Sequence, residues 1–305
     1  MPITPTAKVW MDGKLVGWED ATVHVLTHTL HYGSGVFEGI RAYATPQGPA
    51  IFRLREHIER LARSAHLLAI ELPFDVEQIV AACVEVVRAS GLDECYLRPL
   101  VYLGYGEMGL NPLPCPVNVA VACWPWGAYL GDDGATKGVR LKTSSFVRFH
   151  HNSLMSLAKA SGHYVNSILA GYEARRNGYD EALLLDVHGY VAEGSGENFF
   201  IVRDNVVKTP PLNSVLPGIT RAAVMKILAD ASIEVVEQTF PRDAVYIADE
   251  AFMTGTAAEV TPVRELDDRT IGSGVPGPVT IKVQEVFRNA LHGRDPRYRE
   301  WLHYV

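Results

Sequence analysis

Residues 181–209 read EALLLDVHGYVAEGSGENFFIVRDNVVKT. The apolar runs EALLLD, ENFFIV and NVVKT have the length and composition of β-strands, and His188-Gly189 is typical of a turn. Glu193 follows this turn in the segment EGSGENFF, at the end of a predicted β-hairpin, where functional side chains are often found. The stretch therefore predicts β-structure that carries a candidate site.

Local patterns predict further elements on both sides of this stretch. Asp12-Gly13 lies between two short apolar runs in KVWMDGKLVGW, which predicts a tight hairpin, since glycine tolerates positive φ. Further strands are predicted at VNVAVACW, IEVVEQ and EAFMT. Helical spacing of apolar residues and capping signals predict helices over 54–70, 75–91, 162–176, 220–231 and 278–291.

The chain is long enough for two domains, with 305 residues of which 48% are hydrophobic. Prolines and glycines accumulate between Pro112 and Gly134, which favours a boundary there. We predict a small N-terminal α+β domain (1–127), a linker (128–136) and a larger C-terminal domain (137–305). Spacing and periodicity alone indicate a mixed α and β enzyme.

Composition excludes several classes of partner. A net charge of -7 without blocks of like charge argues against binding to nucleic acid or to an anionic membrane. No segment approaches the roughly 20 apolar residues of a membrane-spanning helix. The four cysteines lack metal-finger spacing and favour a reducing compartment, so a cytoplasmic protein is expected.

Four segments place chemically complementary groups beside glycine-rich turns: KASGHYVNS (159–167), EGSGENFF (193–200), LPGITR (216–221) and MTGTAAEVTP (253–262). Gly218 precedes a predicted helix whose N-terminal N–H groups and dipole suit a phosphate. Taken alone, a lysine such as Lys159 is usually a solvated surface group, and Glu193 is as well explained as a turn residue. Their conjunction and order indicate a cofactor site.

These segments, with HYGSGVFEGIRAY (31–43), YLRP (96–99), GYGEMGLNP (104–112) and WPWGAYLG (124–131), resemble the branched-chain aminotransferases of PLP fold type IV. The resemblance runs from about Trp10 to Val286. It implies a small N-terminal α+β domain, a larger β-barrel-like C-terminal α/β domain and a pyridoxal 5'-phosphate (PLP) cofactor bound between them. The implied reaction is ping-pong transfer of nitrogen from L-leucine, L-isoleucine or L-valine to 2-oxoglutarate.

The resemblance also implies roles for individual residues. Lys159 would hold PLP as a Schiff base and shuttle a proton, Glu193 would keep the pyridine nitrogen protonated, and Tyr164 would hydrogen-bond the phenolic oxygen. Arg60 would offer a bidentate fork to the phosphate. The implied cofactor-binding set is completed by Gly196, Leu216, Gly218, Ile219, Thr220, Gly255 and Thr256.

The substrate pocket must accept a branched aliphatic side chain in one half-reaction and the glutamate γ-carboxylate in the other. By resemblance, the apolar part contains Phe37, Gly39, Met108, Trp126 and Tyr129. The γ-carboxylate would meet Tyr32, Tyr96 and Arg98, and the α-carboxylate would lie on the Thr256-Ala257 turn. Core packing is the ordinary explanation of each aromatic residue taken alone.

The resemblance implies that Tyr32 and Leu110 reach into the neighbouring subunit, so that a homodimer is the smallest active unit and a homohexamer of three dimers is an alternative. The basic residues Arg148, His150 and His151 before Lys159 suggest the hypothesis that they broaden acceptance of acidic or aromatic substrates. Two rival functions stay open: another fold type IV enzyme, acting on D-amino acids, aryl amines or aminodeoxychorismate, and a non-catalytic metabolite-binding homologue.

His24, His28 and His31 have a spacing that would suit zinc on one helical face. The β-branched surroundings and the lack of an acidic companion favour packing or hydrogen-bonding histidines, so no metal is expected. Gly272, Gly274 and Gly277 match GxGxxG, but without a surrounding βαβ unit they indicate a turn.

Overall fold

The structure is a computed structural model that describes residues 3–127 and 133–305. The chain divides into two compact units. Unit 1 spans Met1–Gly127, Ala158–His163 and Ala290–Val305, and unit 2 spans Ala128–Leu157 and Tyr164–Asn289. Lys159 therefore belongs to unit 1 and Glu193 to unit 2. The predicted domain ranges 1–127, 128–136 and 137–305 stay a prediction.

Strands and helices are interspersed along both units. The strands are β1 (Lys8–Met11), β2 (Lys14–Gly17), β3 (Gly35–Phe37), β4 (Ile40–Thr45), β5 (Gly48–Phe52), β6 (Cys95–Leu103), β7 (Val117–Trp124), β8 (Val139–Thr143), β9 (Glu181–Leu185), β10 (Val191–Gly194), β11 (Asn198–Arg203), β12 (Val206–Thr209), β13 (Val235–Glu237), β14 (Glu250–Gly255), β15 (Glu259–Leu266), β16 (Arg269–Thr270) and β17 (Leu302–Tyr304). The helices are α1 (His28–Tyr32), α2 (Leu54–Leu67), α3 (Val76–Ser90), α4 (Gly134–Lys137), α5 (Tyr164–Arg176), α6 (Ile219–Asp230), α7 (Arg242–Tyr246) and α8 (Pro278–Leu291). Short 3₁₀ helices occur at Trp18–Asp20, Ser161–His163 and Pro296–Trp301.

In unit 1, the described residues form an eight-stranded antiparallel sheet in the order β17-β5-β4-β6-β7-β1-β2, with β3 paired to β6. Helices α2 and α3 pack against each other and share an apolar core with the strands, in which Leu61, Val86 and Val121 are fully buried. The hairpin β1–β2 forms as predicted, with positive φ at Asp12 (47°) and Gly13 (95°). Unit 1 is therefore an α+β body.

In unit 2, six of the strands among residues 133–157 and 164–289 close into a ring, β10-β9-β8-β15-β14-β11, because β10 pairs with both β9 and β11. Phe199 of β11 lies in the buried core that also contains Leu141 and Met253. The next residue, Phe200, stacks on Phe252 of β14 with ring centroids 4.9 Å apart. Successive residues of β11 thus contribute to different packing layers.

The barrel sets the position of Glu193. Between Val191 and Glu193 the pairing of β10 with β9 shifts register, as at a β-bulge, and a bulge changes the direction of the side chains that follow. Glu193 then pairs with Asn198 across the turn between β10 and β11. The predicted mixed α/β fold with a barrel-like larger unit is confirmed.

The structure also contains elements that the sequence did not signal, including β4, β5, β8 and the short helix α1. Across residues 3–127 and 133–305, no helix combines the length and the apolar composition that crossing a membrane requires.

The N-terminus of α3 provides a test of the local rules. Asp75 accepts a hydrogen bond from the Gln78 N–H (2.8 Å), and the Gln78 side chain accepts one from the Asp75 N–H (2.8 Å). We expect Asp75→Ala to lower the free energy of unfolding by about 1 kcal/mol, since it removes a helix N-cap. Urea unfolding measures this, with exposed Asp93→Ala as the control. Equal stability of the two variants would contradict the role of the cap.

Candidate functional site

Lys159 is fixed by its backbone to the α2 helix and to β3. Its N–H donates to the Ser64 hydroxyl (3.0 Å), and its carbonyl accepts from the Phe37 N–H (3.0 Å). The side chain is half-buried, with Nζ 5.0 Å from the centre of the Phe37 ring. A lysine held in this way is directed beside an aromatic ring and is not a freely solvated surface group.

Arg60 is buried in α2 and paired with a carboxylate that the sequence interpretation missed. Arg60 Nε and Nη2 donate to the two oxygens of Glu38 at 2.6 and 2.8 Å. The sequence pointed to the arginine fork as a ligand for phosphate alone, whereas in the structure the fork engages Glu38. A role of Arg60 toward phosphate stays a proposal and must use the rest of the guanidinium.

Glu38 is fully buried and has a second partner, His57. His57 Nδ1 lies 2.7 Å from Glu38 Oε2. Burial raises the pKa of Glu38, but the charge of Arg60 and the hydrogen bonds that Arg60 and His57 donate outweigh burial and hold that pKa far below its ordinary value. Burial lowers the pKa of His57. An ionised Glu38 can only accept, so neutral His57 donates through Nδ1. The result is a rigid ionised cluster beside the Lys159 segment.

An aromatic cluster with one cation lies on β3, β6 and the end of β7. The Tyr96 ring stacks on Trp126, with ring centroids 4.7 Å apart. The Arg98 guanidinium lies over both Phe37 (4.7 Å) and Tyr96 (5.3 Å), and its Nη2 donates to the Tyr96 hydroxyl (3.3 Å). Arg98 and Lys159 therefore contact the same Phe37 ring.

Gly39 lies beside this cluster, where only glycine fits. A Cβ at position 39 would come 1.9 Å from the Tyr96 hydroxyl oxygen, which no real contact tolerates. Arg98 Nε is buried and has no hydrogen-bond partner in the described part of the chain. The cluster therefore combines an apolar ring surface with an unsatisfied cationic donor, as a carboxylate-binding pocket requires.

The remaining predicted substrate residues of unit 1 are exposed. Tyr32, Met108 and Leu110 are 45%, 44% and 91% exposed. Tyr32 lies against the His28 ring (4.6 Å), and His28 Nε2 bonds the Gly109 carbonyl (2.9 Å), which ties the two segments together. Predicted residue Tyr129 lies outside the described residues.

In unit 2, Glu193 is buried and surrounded by donors. Its Oε1 lies 2.6 Å from Arg148 Nε, a charge contact in which the N–H is not aligned as a hydrogen bond. Its Oε2 accepts from the Leu216 N–H (3.1 Å) and the Asn198 amide (3.3 Å). The same amide donates to the Leu216 carbonyl (2.9 Å), so Asn198 joins Glu193 to the LPGITR segment.

Three predicted segments converge around Asn198. It pairs with Thr254 across β11 and β14, and a Cβ at Gly218 would come 1.9 Å from its Oδ1. Gly218 precedes α6 and provides no side-chain cap, so the N–H groups of this helix N-terminus can bind an anion. Thr220 is buried in the first turn of α6. Gly255 lies close to Gly196, since a Cβ added at position 255 would come 3.3 Å from the Gly196 carbonyl oxygen. Thr256 and Ala257 follow β14 and are half-exposed.

Two further buried carboxyl groups, Glu181 and Glu197, lie near Glu193 in unit 2. Burial, and then the charge of Glu181, raises the pKa of Glu197 to about 8. Burial also raises the pKa of Glu181. At neutral pH Glu197 therefore keeps its proton, while Glu193 lies against the cation Arg148.

Tyr164 begins α5 and is half-buried. His28 bonds Ser34 (2.6 Å) and Gly109, and His31 bonds the Val25 carbonyl (2.9 Å), which confirms hydrogen-bonding histidines. In the described chain, no group of three or more His, Cys, Asp or Glu side chains could hold a metal ion.

The comparisons with known proteins agree with one another. The model of the class IV amino-transferase family matches residues 35–266. The chain belongs to the class IV aminotransferase family. A branched-chain-amino-acid aminotransferase from Pseudomonas aeruginosa is 51% identical over 293 residues, which are 96% of this chain and 95% of that protein.

Solved structures of relatives match this class IV aminotransferase over nearly its whole length. A T.th. branched-chain amino acid aminotransferase with pyridoxamine 5'-phosphate is 52% identical, with a TM-score of 0.96 and coverage of 98% of this chain and 99% of that one. The same enzyme with N-(5'-phosphopyridoxyl)-L-glutamate has a TM-score of 0.95 at 52% identity, with 98% of both chains covered.

Three functional candidates of this aminotransferase are missing from the sequence interpretation: Glu38, Asn198 and Glu197. All three lie inside segments that the sequence interpretation names, Glu38 in VFEGIR and Glu197 and Asn198 in EGSGENFF. The signal that could have identified them is a carboxyl or amide side chain among residues predicted to be buried. The structure places Arg148 against Glu193, and its suggested effect on substrate preference stays a hypothesis.

The raised pKa of Glu197 gives a pH prediction. Because the folded protein binds this proton more tightly than the unfolded chain does, the contribution favours folding below pH 4.5 and is lost as the pH rises to about 8. The charged groups facing Glu197 are Glu181, Glu193 and Arg175. We expect the free energy of unfolding to decline across this window in the wild type and less steeply in Glu197→Gln.

Chemical unfolding at a series of pH values measures the decline. Exposed Glu234→Gln is the matched control and should follow the wild type. An unchanged slope in Glu197→Gln would show that Glu197 does not hold the proton.

Proposed function

We propose that this class IV aminotransferase transfers the amino group of L-leucine, L-isoleucine or L-valine to 2-oxoglutarate in two half-reactions, giving branched-chain 2-oxo acids and L-glutamate. The observation that carries the proposal is the cluster in which Lys159 and Arg98 contact one Phe37 ring. The ring suits a branched aliphatic side chain, and the guanidinium suits a γ-carboxylate. The Pseudomonas aeruginosa relative bears the name of this activity.

The residues present fit PLP. Glu193 is a buried carboxylate beside Arg148, and a protonated ring nitrogen requires such a carboxylate as its partner. The uncapped N-terminus of α6 suits a phosphate. Bound PLP supplies an electron sink for the substrate Cα. We assign the ring nitrogen to Glu193, the phenolic oxygen to Tyr164, and the phosphate to Arg60, Ile219, Thr220 and Thr256. Gly196, Leu216, Gly218 and Gly255 allow the backbone to approach the cofactor.

Lys159 both binds the cofactor covalently and moves the proton. With PLP bound, the amine of Lys159 would accept the proton that leaves the substrate Cα and would donate it again later in the reaction. The contacts of its backbone with Ser64 and Phe37 fix the start of the side chain, so the amine keeps its position during this transfer. Tyr164 tunes the link through its hydroxyl.

The substrate side chain is assigned to the aromatic cluster of unit 1. Phe37, Trp126, Met108 and Tyr129 provide apolar surface, and Gly39 leaves room for Tyr96. Tyr32, Tyr96 and Arg98 bind the γ-carboxylate of glutamate, and the Thr256-Ala257 turn binds the α-carboxylate. Burying the unsatisfied Arg98 Nε against a carboxylate is favourable, because the donor then gains a charge-assisted partner.

The functional assembly is a homodimer, and three dimers in a homohexamer are the larger alternative. The exposure of Tyr32, Met108 and Leu110, with Leu30 61% and Leu113 84% exposed beside them in sequence, supports a partner subunit over this surface. Tyr32 and Leu110 of each subunit then complete the pocket of the other. The free thiols of all four cysteines support a cytoplasmic location.

Two half-reactions test the activity. We expect L-leucine, L-valine and L-isoleucine each to remove the visible absorbance of the Lys159-bound cofactor, and 2-oxoglutarate to restore it. D-alanine and an aryl amine should leave it unchanged. A protein that reacts with D-alanine but not with L-leucine is one of the rival fold type IV enzymes, and a protein that stays colourless with saturating PLP is the non-catalytic rival.

Arg98→Gln separates the two substrates. We expect kcat/KM for 2-oxoglutarate to fall about 100-fold, since a buried charge-assisted contact is lost, and kcat/KM for L-leucine to change by less than about threefold. Steady-state kinetics measures both values. Arg98→Lys keeps the charge without the fork, so its kcat/KM for 2-oxoglutarate should lie between those of the wild type and Arg98→Gln. A uniform loss for both substrates would contradict the assignment of Arg98 to the γ-carboxylate.

A further inference from the structure

The Arg148 side chain is held in place from several directions inside unit 2. The Arg148 N–H donates to the Leu185 carbonyl (2.7 Å), which fixes the loop beside β9. The guanidinium lies over the Phe149 ring at 3.9 Å, and its Nε is 2.6 Å from Glu193 Oε1. Arg148 and Glu193 are only 7% and 6% exposed. This contact is a buried ion pair, not a flexible surface contact.

The surroundings of the pair are acidic. Glu181 from β9 and Glu197 from the turn before β11 are also buried, at 0% and 3% exposure. A further cation, Arg175 of α5, lies 3.8 Å from Glu181, with its side chain 57% exposed. Glu193 thus belongs to a buried cluster of three carboxyl groups, and these cannot all be ionised, since like charges in a poorly solvated site repel strongly.

The distribution of protons in this cluster matters for the chemistry. Glu197, whose pKa burial and the charge of Glu181 raise to about 8, keeps its proton at neutral pH. Glu193 must carry a negative charge if it is to stabilise a protonated ring nitrogen. The position of Arg148, next to Glu193 Oε1, selects this arrangement, because an adjacent cation favours the ionised form of a carboxyl group. A neutral Glu193 would stabilise the protonated ring much less.

We propose that Arg148 is a positioning residue that keeps Glu193 ionised and correctly aimed within the acidic cluster. The inference rests on the proposed function, in which Glu193 pairs with the pyridine nitrogen. Arg148 acts through Glu193 and does not select substrates. It therefore affects cofactor affinity and both half-reactions equally, in contrast to Arg98.

The experiment compares Arg148→Gln and Arg148→Lys with Arg140→Gln. Arg140 is the matched control, because it forms an ion pair with Glu265 (2.7 Å) in the same unit. For Arg148→Gln we expect the PLP dissociation constant to rise at least about tenfold, kcat for both half-reactions to fall together with little change in KM, and the pH dependence of the visible absorbance to shift. Arg148→Lys should recover most of the loss, and Arg140→Gln should resemble the wild type.

A second measurement uses the cofactor-free protein. Arg148→Gln should lower the thermal unfolding midpoint, because Glu193 loses its counter-ion, and Arg148→Gln combined with Glu193→Gln should recover part of that loss. This measurement tests the ion pair even if the wild type binds no PLP. Failure of the wild type to bind PLP would contradict the proposed function but not the ion pair. Wild-type PLP affinity and absorbance in Arg148→Gln would overturn the proposal. A changed ratio of 2-oxoglutarate to L-leucine activity with unchanged absorbance would also overturn it and would support a role in substrate selection.

Discussion

An ionised carboxylate can be buried only where a cation and several donors replace the water that it loses. Each unit of this chain meets that constraint with a glutamate and an arginine: Glu38 with Arg60 in unit 1, and Glu193 with Arg148 in unit 2. Both pairs lie beside segments to which the proposed chemistry is assigned. The fold therefore supplies fixed charges as well as a shape, and fixed charges cost no reorganisation during the reaction.

The way in which each pair is held follows from the architecture. Arg60 and His57 stand one turn apart on α2, so that both reach Glu38 at the end of β3, and Ser64 on the same helix anchors Lys159. Closure of the barrel at β10 and β11 brings Glu193 to Asn198 and the loop before α6. Strand pairing thus converts segments far apart in sequence into one set of donors around a carboxylate.

Local signals in the sequence were sufficient for much of the fold. The Asp12-Gly13 turn, the Asp75 cap, the start of α6 after Gly218 and the strand VNVAVACW were predicted from neighbouring residues and are present. The ion pairs were not predicted, because local patterns do not reveal contacts between residues far apart in sequence, and even Glu38 and Arg60 are 22 positions apart. Resemblance identified Lys159, Glu193 and Arg98 as candidates, but it could not show that the Arg60 fork holds Glu38.

The central claim is that the amine of Lys159 forms the covalent link to PLP. It is tested most directly by saturating the protein with PLP, reducing it with borohydride and locating the modified residue by peptide mass spectrometry. The account predicts a phosphopyridoxyl group on the peptide that contains Lys159, on none of the other lysines, and its loss in Lys159→Ala. A label on a different lysine, or an unlabelled Lys159 in a protein that has bound PLP, would contradict it.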